Sequence, residues 1–537
     1  MNKQMKRIMA GLSAVGQAGR TRLLSAVTVL TGGFLTQSAL ADGETPPNFV
    51  VILADDMGFS DAGCYGGEIA TPTLDSLARD GVRFTQFYTC GRCWPSRASV
   101  LTGYYAQETR SDPPKGLLPV WTRLVPDYLK PLGYRSYHSG KWHIIGAPDP
   151  VTDGHFDHSY NLGPPKRTAP PIKGDLTHIS APVATAAIDF LKEHKREHAD
   201  QPFFLYLCFT APHHPLLASE EDIAPYKGRY DEGWDVLRQK RLSALKKLGI
   251  ADNELPPMEP DTFPSWNMSD AELLEKIGPG EVSRAVPWDS LTREQKKFQA
   301  EKMEVYAAMI ERMDREIGRV LEQIRAMGAE ENTVVMFSSD NGSSAEMRLP
   351  APHNKKAPIG APGTFLCLGP GWATASNDPF RLHKSFVHEG GIASPLIIRW
   401  PAGLSARGEL RRTPAHLIDL LPTMLELAGG KTPDPNWNGH VAPPLEGQSL
   451  VPILAKDIDN PQREIYFHHL DNRALRVGDW KLVSKDANGP WELYNIKSDR
   501  GEMHNLASEH PEKVQDLAAR WQKHEDEYIR LANESVK

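Results

Sequence analysis

The chain is predicted to be an α/β protein, with a large mixed, mostly parallel sheet flanked by helices and a small C-terminal antiparallel-sheet subdomain. Two observations carry this reading. From Asn48 to Pro401, short continuous apolar runs, the mark of strands covered on both faces, alternate with segments of helical periodicity. After the Pro-rich residues 431–446, strand-like runs instead follow one another directly, joined by turn residues. At 537 residues and 40% hydrophobic composition, the chain can bury a large core.

Residues 1–41 hold Lys3, Lys6, Arg7, Arg20 and Arg22 with no acid, then the apolar run Leu23–Leu35, then Ala39-Leu40-Ala41. This is the organisation of a signal peptide cleaved after Ala41, since the apolar run falls short of the roughly 20 residues that span a bilayer. The expectation is an exported chain, periplasmic or extracellular, without a stable membrane anchor. Losing those five cations moves the formal net charge from −7 to −12, which argues against nucleic-acid binding through bulk charge. Any anion must be held by a local site.

NFVVILADD (Asn48–Asp56) is a buried strand ending in two carboxylates. TPTLDSLARDG follows as a helix, with Thr71 as N-cap, Pro72 at the first helical position and Gly81 as the stop, and VRFTQFYT returns as a strand. In CWPSRASVLTG, Pro95 suits a first turn, Arg97, Val100 and Leu101 fit helical spacing, and Gly103 ends the helix. Cys93 thereby stands beside the free backbone N–H groups of a helix N-terminus, an anion site. A helix around Val125–Leu129 precedes the strand YRSYH, and one through Val183–Leu191 precedes FFLYLCFT. Residues 217–300 are polar and rich in Pro and Trp, with one amphipathic stretch over Asp235–Leu248, and are expected to be an excursion.

From Phe298 to Met327 the residues Met303, Tyr306, Ile310, Met313, Ile317, Val320 and Ile324 recur at steps of three or four, a long amphipathic helix. The strands TVVMFSSDNG and SPLIIRWP and a helix around Leu417–Ala428 complete a first domain over residues 42–430. IYFHH, ALRVGDWKLVS, WELYNI and a polar helix over Glu509–Leu531 form the second, over 431–537.

In open α/β sheets, ligands bind outside the carboxyl ends of the strands. Those ends carry Asp55 and Asp56, then Lys141 and His143 in GKWH, His213 in APHHP, and Asp340 and Asn341. Each alone reads as turn chemistry or a satisfied polar group. Together, three carboxylates and an amide suit calcium or magnesium over zinc, and the neighbouring cations and imidazoles suit an oxyanion. The cysteines Cys64, Cys90, Cys93, Cys208 and Cys367 are odd in number, so an exported chain leaves one thiol over or chemically changed. Cys90 and Cys93 have the spacing of a redox pair or half a zinc site, but no second such pair exists.

C-x-P-S-R followed by A-x-x-x-T-G, as it stands in CWPSRASVLTG, resembles the signature of the type I sulfatases of the alkaline phosphatase superfamily. VVILADDMG, GYRSYHSGKWH, FTAPHHPL, FSSDNG, KSFVHEGGIASPLIIRWP and DWKLVS…WELYNI are similar to that family's blocks, in its order. The resemblance implies an alkaline-phosphatase-like fold and an enzyme that hydrolyses sulfate monoesters, of aryl or glycan alcohols, through a formylglycine-sulfate intermediate. It implies conversion of Cys93 to Cα-formylglycine by a formylglycine-generating or sulfatase-maturating enzyme. It further implies Ca2+, with Mg2+ an alternative, held by Asp55, Asp56, Asp340, Asn341 and residue 93.

Arg97 and Lys141 would then steady the formylglycine and sulfate oxygens, and His143, His213 and Lys384 would complete the active site. Asp340 would take the attacking hydroxyl's proton, His213 with Lys384 would serve the leaving oxygen, and His143 would act on the second hydroxyl. A phosphonate or phosphodiester hydrolase of the same superfamily and a non-catalytic anion-binding relative are the alternatives. Trp94, Trp142 and the His468-His469 pair are candidate pocket walls, with core packing or a solvated loop the competing reading.

Overall fold

A computed structural model describes residues 45–113, 115–162, 179–430 and 433–534. The expected signal peptide, residues 1–41, lies outside the described residues. The large sheet contains β1 (Asn48–Asp55), β2 (Val82–Tyr88), β3 (Arg135–Gly140), β4 (His158–Asn161), β5 (Phe203–Pro212), β6 (Thr333–Ser339), β7 (Ala393–Arg399), β8 (Glu409–Arg411) and β9 (Ala415–His416). Their order is β4-β3-β5-β1-β6-β7-β2-β8, with β9 also on β2. Every pairing is parallel except the two made by β7.

Strand β1 lies at the centre, buried from Phe49 to Asp55, and its alternation distributes side chains to two cores. Val50, Ile52 and Ala54 pack on one face with Met303, Ile310, Met313 and Ile317, whereas Phe49, Val51 and Leu53 pack on the other with Val100, Leu101, Leu417 and Leu421.

The long amphipathic helix spans Arg293–Ala326, and all seven apolar positions read from the sequence are buried. It begins earlier than the apolar periodicity because Thr292 and Gln295 form a capping box. The Pro72–Arg79 helix shows a difference in capping. Thr71 occupies the N-cap position, but its hydroxyl is engaged by Gly63 N–H and Asp75. Asp314, from the long helix, accepts instead from the Thr73 and Leu74 amides at 2.9 and 2.8 Å. The 217–300 segment is anchored by aromatic packing, with Trp234 5.3 Å from Trp372 and 4.8 Å from Trp288 between ring centroids.

Strand β7 is antiparallel for a connective reason. The chain leaves β6 at its carboxyl end and, after residues 340–392, enters β7 at that same end, pairing Ser338 with Leu396. Lys384 therefore remains beside the ends of β1 and β6.

Beyond a short hairpin of β10 (Asn436–Trp437) and β11 (His440–Val441), the C-terminal sheet is an antiparallel meander. It comprises β12 (Glu464–His469), β13 (Asn472–Val477), β14 (Trp480–Ser484) and β15 (Glu492–Asn495). The run ALRVGDWKLVS thus supplies two strands, because Gly478, at φ +56°, and Asp479 turn the chain so that Val477 pairs with Trp480. The terminal helix, Pro511–Glu534, covers this sheet with Leu517, Trp521 and Tyr528. Lys481 of β14 is buried between Glu389, which precedes β7, at 3.0 Å and Glu502 at 2.8 Å.

Candidate active site

The carboxyl ends of β1, β3, β5 and β6 converge on the N-terminus of the Cys93–Thr102 helix, as the sequence motifs require. Asp55, Asp56 and Asp340 are buried and offer ligand atoms within 4.8 Å of one another. Asp56 adopts a left-handed backbone, φ +65°, a conformation that costs a non-glycine residue free energy and recurs at functional sites. Asn341 donates from Nδ2 to Asp56 Oδ1 at 2.7 Å. Among the described residues, Asp55 Oδ1 and Asn341 Oδ1 are buried without a hydrogen-bond partner. Two orphaned oxygens beside converging carboxylates form a hard donor set, and these residues fit a calcium- or magnesium-like cation.

Three side-chain cations balance this acidic cluster. Lys141 Nζ lies 2.5 Å from Asp55, Arg97 Nη2 lies 2.7 Å from Asp340, and Lys384 Nζ lies 2.8 Å from Asp56 and 3.5 Å from Glu346. Burial raises the Asp55 pKa, but Lys141, then His213, Arg97 and Lys384, outweigh it and hold the carboxyl well below its usual range. Asp340 goes the other way, pushed up to about 7 by burial and by Asp55 despite Arg97. Burial disfavours the Lys384 ammonium, yet Asp56 and Glu346 reverse the balance and keep it charged.

Cys93 is the first residue of its helix, whose first turn contains no acid and, among the described residues, no side-chain cap. The free amides and helix dipole therefore favour an anion there. Burial pushes the Cys93 thiol up, with Lys141 and Lys384 opposing and Asp55 and Asp340 reinforcing, so an unaltered cysteine stays a neutral thiol. One turn on, the fully buried Arg97 also donates to the Lys141 carbonyl at 2.9 Å.

Lys141 reaches the site because Gly140 adopts φ +115°, where an added Cβ would lie 1.8 Å from the Cys208 carbonyl oxygen. His143, at φ +54°, opens to solvent with its ring 5.8 Å from that of Trp94. His213 Nε2 lies 3.7 Å from Asp56, and its Nδ1 donates to the His214 carbonyl at 2.6 Å. Burial, with Lys384 and Lys141, pulls His213 down to about 3 against Asp55, which keeps the imidazole neutral.

All of Asp55, Asp56, Cys93, Arg97, Lys141, His143, His213, Asp340, Asn341 and Lys384 thus meet at one rim. The candidate pocket walls divide. Trp142 is a core residue whose Nε1 donates to the Ala147 carbonyl, and His468 bonds to Glu525 and the Leu470 carbonyl. His469 is buried against Asp112 at 2.6 Å, with its ring 5.6 Å from Trp94, which is half-buried. All five cysteines are buried free thiols, so Cys90 and Cys93 are not bridged.

Sequence reading missed Glu346, Arg92 and Trp266. Arg92 donates to Glu346 at 2.8 Å and to Ser385 at 2.5 Å, and Trp266 Nε1 donates to Glu346 at 2.8 Å. Glu346 lies in a segment with neither helical nor strand periodicity, so nothing local marked it.

A sheet rim that joins a hard-cation donor set, an anion-receptive helix end and flanking cations suits a protein that binds an anionic ester beside a metal ion. Residues 47–430 match the sulfatase family, and residues 380–527 match the C-terminal region of N-sulphoglucosamine sulphohydrolase. The chain belongs to the sulfatase family, the sulfuric ester hydrolases with the alkaline-phosphatase-like fold.

It is 34% identical to an uncharacterised sulfatase of Schizosaccharomyces pombe, over 90% of this chain and 94% of that one. It is 31% identical to an arylsulfatase of Klebsiella aerogenes, over 79% of this chain and 94% of that one. In fold it is similar to a solved structure described as in complex with its substrate D-glucosamine-2-N,6-O-disulfate, with TM-score 0.60, 21% identity and coverage of 90% and 98%. Of the alternatives read from the sequence, sulfate ester hydrolysis is the one this family supports.

Proposed function

We propose that the protein is an exported, periplasmic or extracellular sulfatase that cleaves aryl or glycan sulfate monoesters with calcium and a formylglycine derived from Cys93. One observation carries this reading: the ligand atoms of Asp55, Asp56 and Asp340 lie within 4.8 Å of one another, and the buried oxygens Asp55 Oδ1 and Asn341 Oδ1 have no hydrogen-bond partner among the described residues. The arylsulfatase relative and the fold shared with a sulfated-sugar complex support the substrate class. Among the described residues no helix is long and apolar enough to cross a membrane.

Asp55, Asp56, Asp340 and Asn341 would hold the cation, which when bound lowers the cost of an alkoxide beside it. A formylglycine at position 93 would, as its hydrate, supply one hydroxyl for attack on sulfur and a second for release of sulfate. Arg97 and Lys141 screen the sulfate oxygens, positioned by their bonds to Asp340 and Asp55. Asp340 accepts the proton of the attacking hydroxyl. The leaving oxygen would take its proton from the Lys384 ammonium, with neutral His213, whose Nδ1–H is committed to the His214 carbonyl and whose Nε2 therefore carries no proton, beside it as an acceptor. His143, at the open mouth, takes the proton of the second hydroxyl.

Peptide mass measurement at residue 93, on protein made with a maturating enzyme, tests the reading. A peptide lighter than the cysteine form, and turnover of 4-nitrophenyl sulfate that chelation abolishes and calcium restores, are expected. Full-speed turnover by a chain with an unaltered thiol at position 93 would overturn it.

A further inference from the structure

Trp266 lies in the 217–300 segment, and its indole is both fixed and open. It is 37% exposed, in a chain that buries most of its large aromatic residues. One edge is held by the hydrogen bond from Nε1 to Glu346 Oε1. The Arg92 guanidinium lies 4.8 Å from its ring centroid and 4.7 Å from that of Trp94, so one cation is layered against two indoles. Arg92 is itself pinned by Glu346 and Ser385 and immediately precedes Cys93. The other Glu346 oxygen lies 3.5 Å from Lys384 Nζ.

The exposed indole is therefore tied to the start of the nucleophile helix through Arg92, and through Glu346 to the cation beside Asp56. This separates it from Leu117 and Val441, exposed apolar residues for which the structure gives no such ties. An aromatic plane held at its edge and on one face costs little entropy when a ligand meets its free surface. Its charged neighbours, Arg92 and Glu346, are already paired, so what it offers to a ligand is a flat apolar surface with a polar margin.

We propose that Trp266 is a specificity-determining residue, and that its free face carries the ring of the ester's alcohol half while the sulfate end occupies the rim. This deepens the sulfatase reading and rests on it. The ligand chemistry is a ring with an apolar face, which an aryl group and a pyranose share.

The test compares wild type, Trp266→Ala and Trp266→Phe with 4-nitrophenyl sulfate and a hexose 6-sulfate, and measures inhibition by inorganic sulfate, which has no alcohol half. For Trp266→Ala, KM for the ring ester rises about tenfold, kcat stays within about twofold, and the inhibition constant for sulfate is unchanged. Trp266→Phe, which keeps a ring but loses the bond to Glu346, recovers most of the KM. The ester with the larger change identifies the ring class.

Unchanged KM for both esters, or a sulfate inhibition constant that rises in step with KM, overturns the proposal, the latter by placing the effect at Glu346 and Lys384. If wild type turns over neither ester, the sulfatase reading fails separately. Calorimetric binding of 4-nitrophenyl sulfate to the same three proteins then decides the Trp266 role.

Discussion

Lys384 shows how much one side chain decides at this rim. Its ammonium is 1% exposed and lies between Asp56 and Glu346, and the latter also receives Arg92 and Trp266. Lys384→Ala removes the cation that faces Asp56 and leaves two buried carboxylates short of a partner. Loss of one such preorganised group lowers kcat/KM at least about hundredfold. Removing one partner of a buried pair also costs about 3–5 kcal/mol of stability. Sulfate ester turnover at saturating calcium, with urea unfolding of the same sample, checks both effects, and a variant with wild-type kcat/KM refutes the role. The position was legible from its block, KSFVHEGG, but its partner Glu346 was not, because their contact joins two parts of an aperiodic segment.

At the scale of elements, the left-handed turn at Asp56 is braced from behind by two helices. Tyr306 of the Arg293–Ala326 helix donates its hydroxyl to Asp61 Oδ2 at 2.7 Å and lies 3.2 Å from the Asp56 carbonyl oxygen. Arg241 of the Gly233–Lys247 helix donates to Asp61 Oδ1 at 2.7 Å, and the Gly58 amide closes the turn at 2.8 Å. Tyr306→Phe keeps the packing and removes the bond that orients Asp56. Calcium affinity is expected to fall about tenfold with the fold intact, since outer partners of metal ligands commonly have effects of that size. A calcium titration followed by thermal shift measures it, and unchanged affinity refutes the bracing role. Periodicity put Tyr306 on the buried helix face, yet it is the packing of that face on the sheet that makes its hydroxyl a second support.

Over the whole molecule, acid is expected to unfold the chain through groups buried in one protonation state. His138 and His416 are fully buried and held down to about 3 by burial, against an ordinary value of 6.5. Their folded pKa is depressed, so the unfolded chain takes up protons first, and the stability of the neutral imidazoles is lost as pH falls from 6.5 towards 3. Glu389 is first raised by burial but held at about 2 by Lys481, Arg500 and Arg476, and its contribution is lost as pH falls from 4.5 towards 2. Tm therefore declines as pH drops from about 7 to about 4, and His416→Asn shallows the decline by removing one of these groups. Calorimetry of the two proteins across that range tests this, and parallel slopes would exclude His416 as a contributor.

While the short strands β4, β8 and β9 went unread, the sequence by itself determined the strands β1, β2, β3, β5, β6 and β7, the charged or amide groups at the ends of β1, β3, β5 and β6, and that Cys93 opens a helix. These follow from period, turn chemistry and capping, which act within a few residues of the chain. The fold-back of ALRVGDWKLVS was likewise written locally, in its Gly478-Asp479 turn. Only the tertiary structure decided that β7 runs against its neighbours and that Asp314 caps the Pro72–Arg79 helix in place of Thr71. It alone brought Glu346, Arg92 and Trp266 to the rim. Those outcomes depend on which distant segments compete for the same buried surface and unpaired polar groups, and no local pattern carries that information.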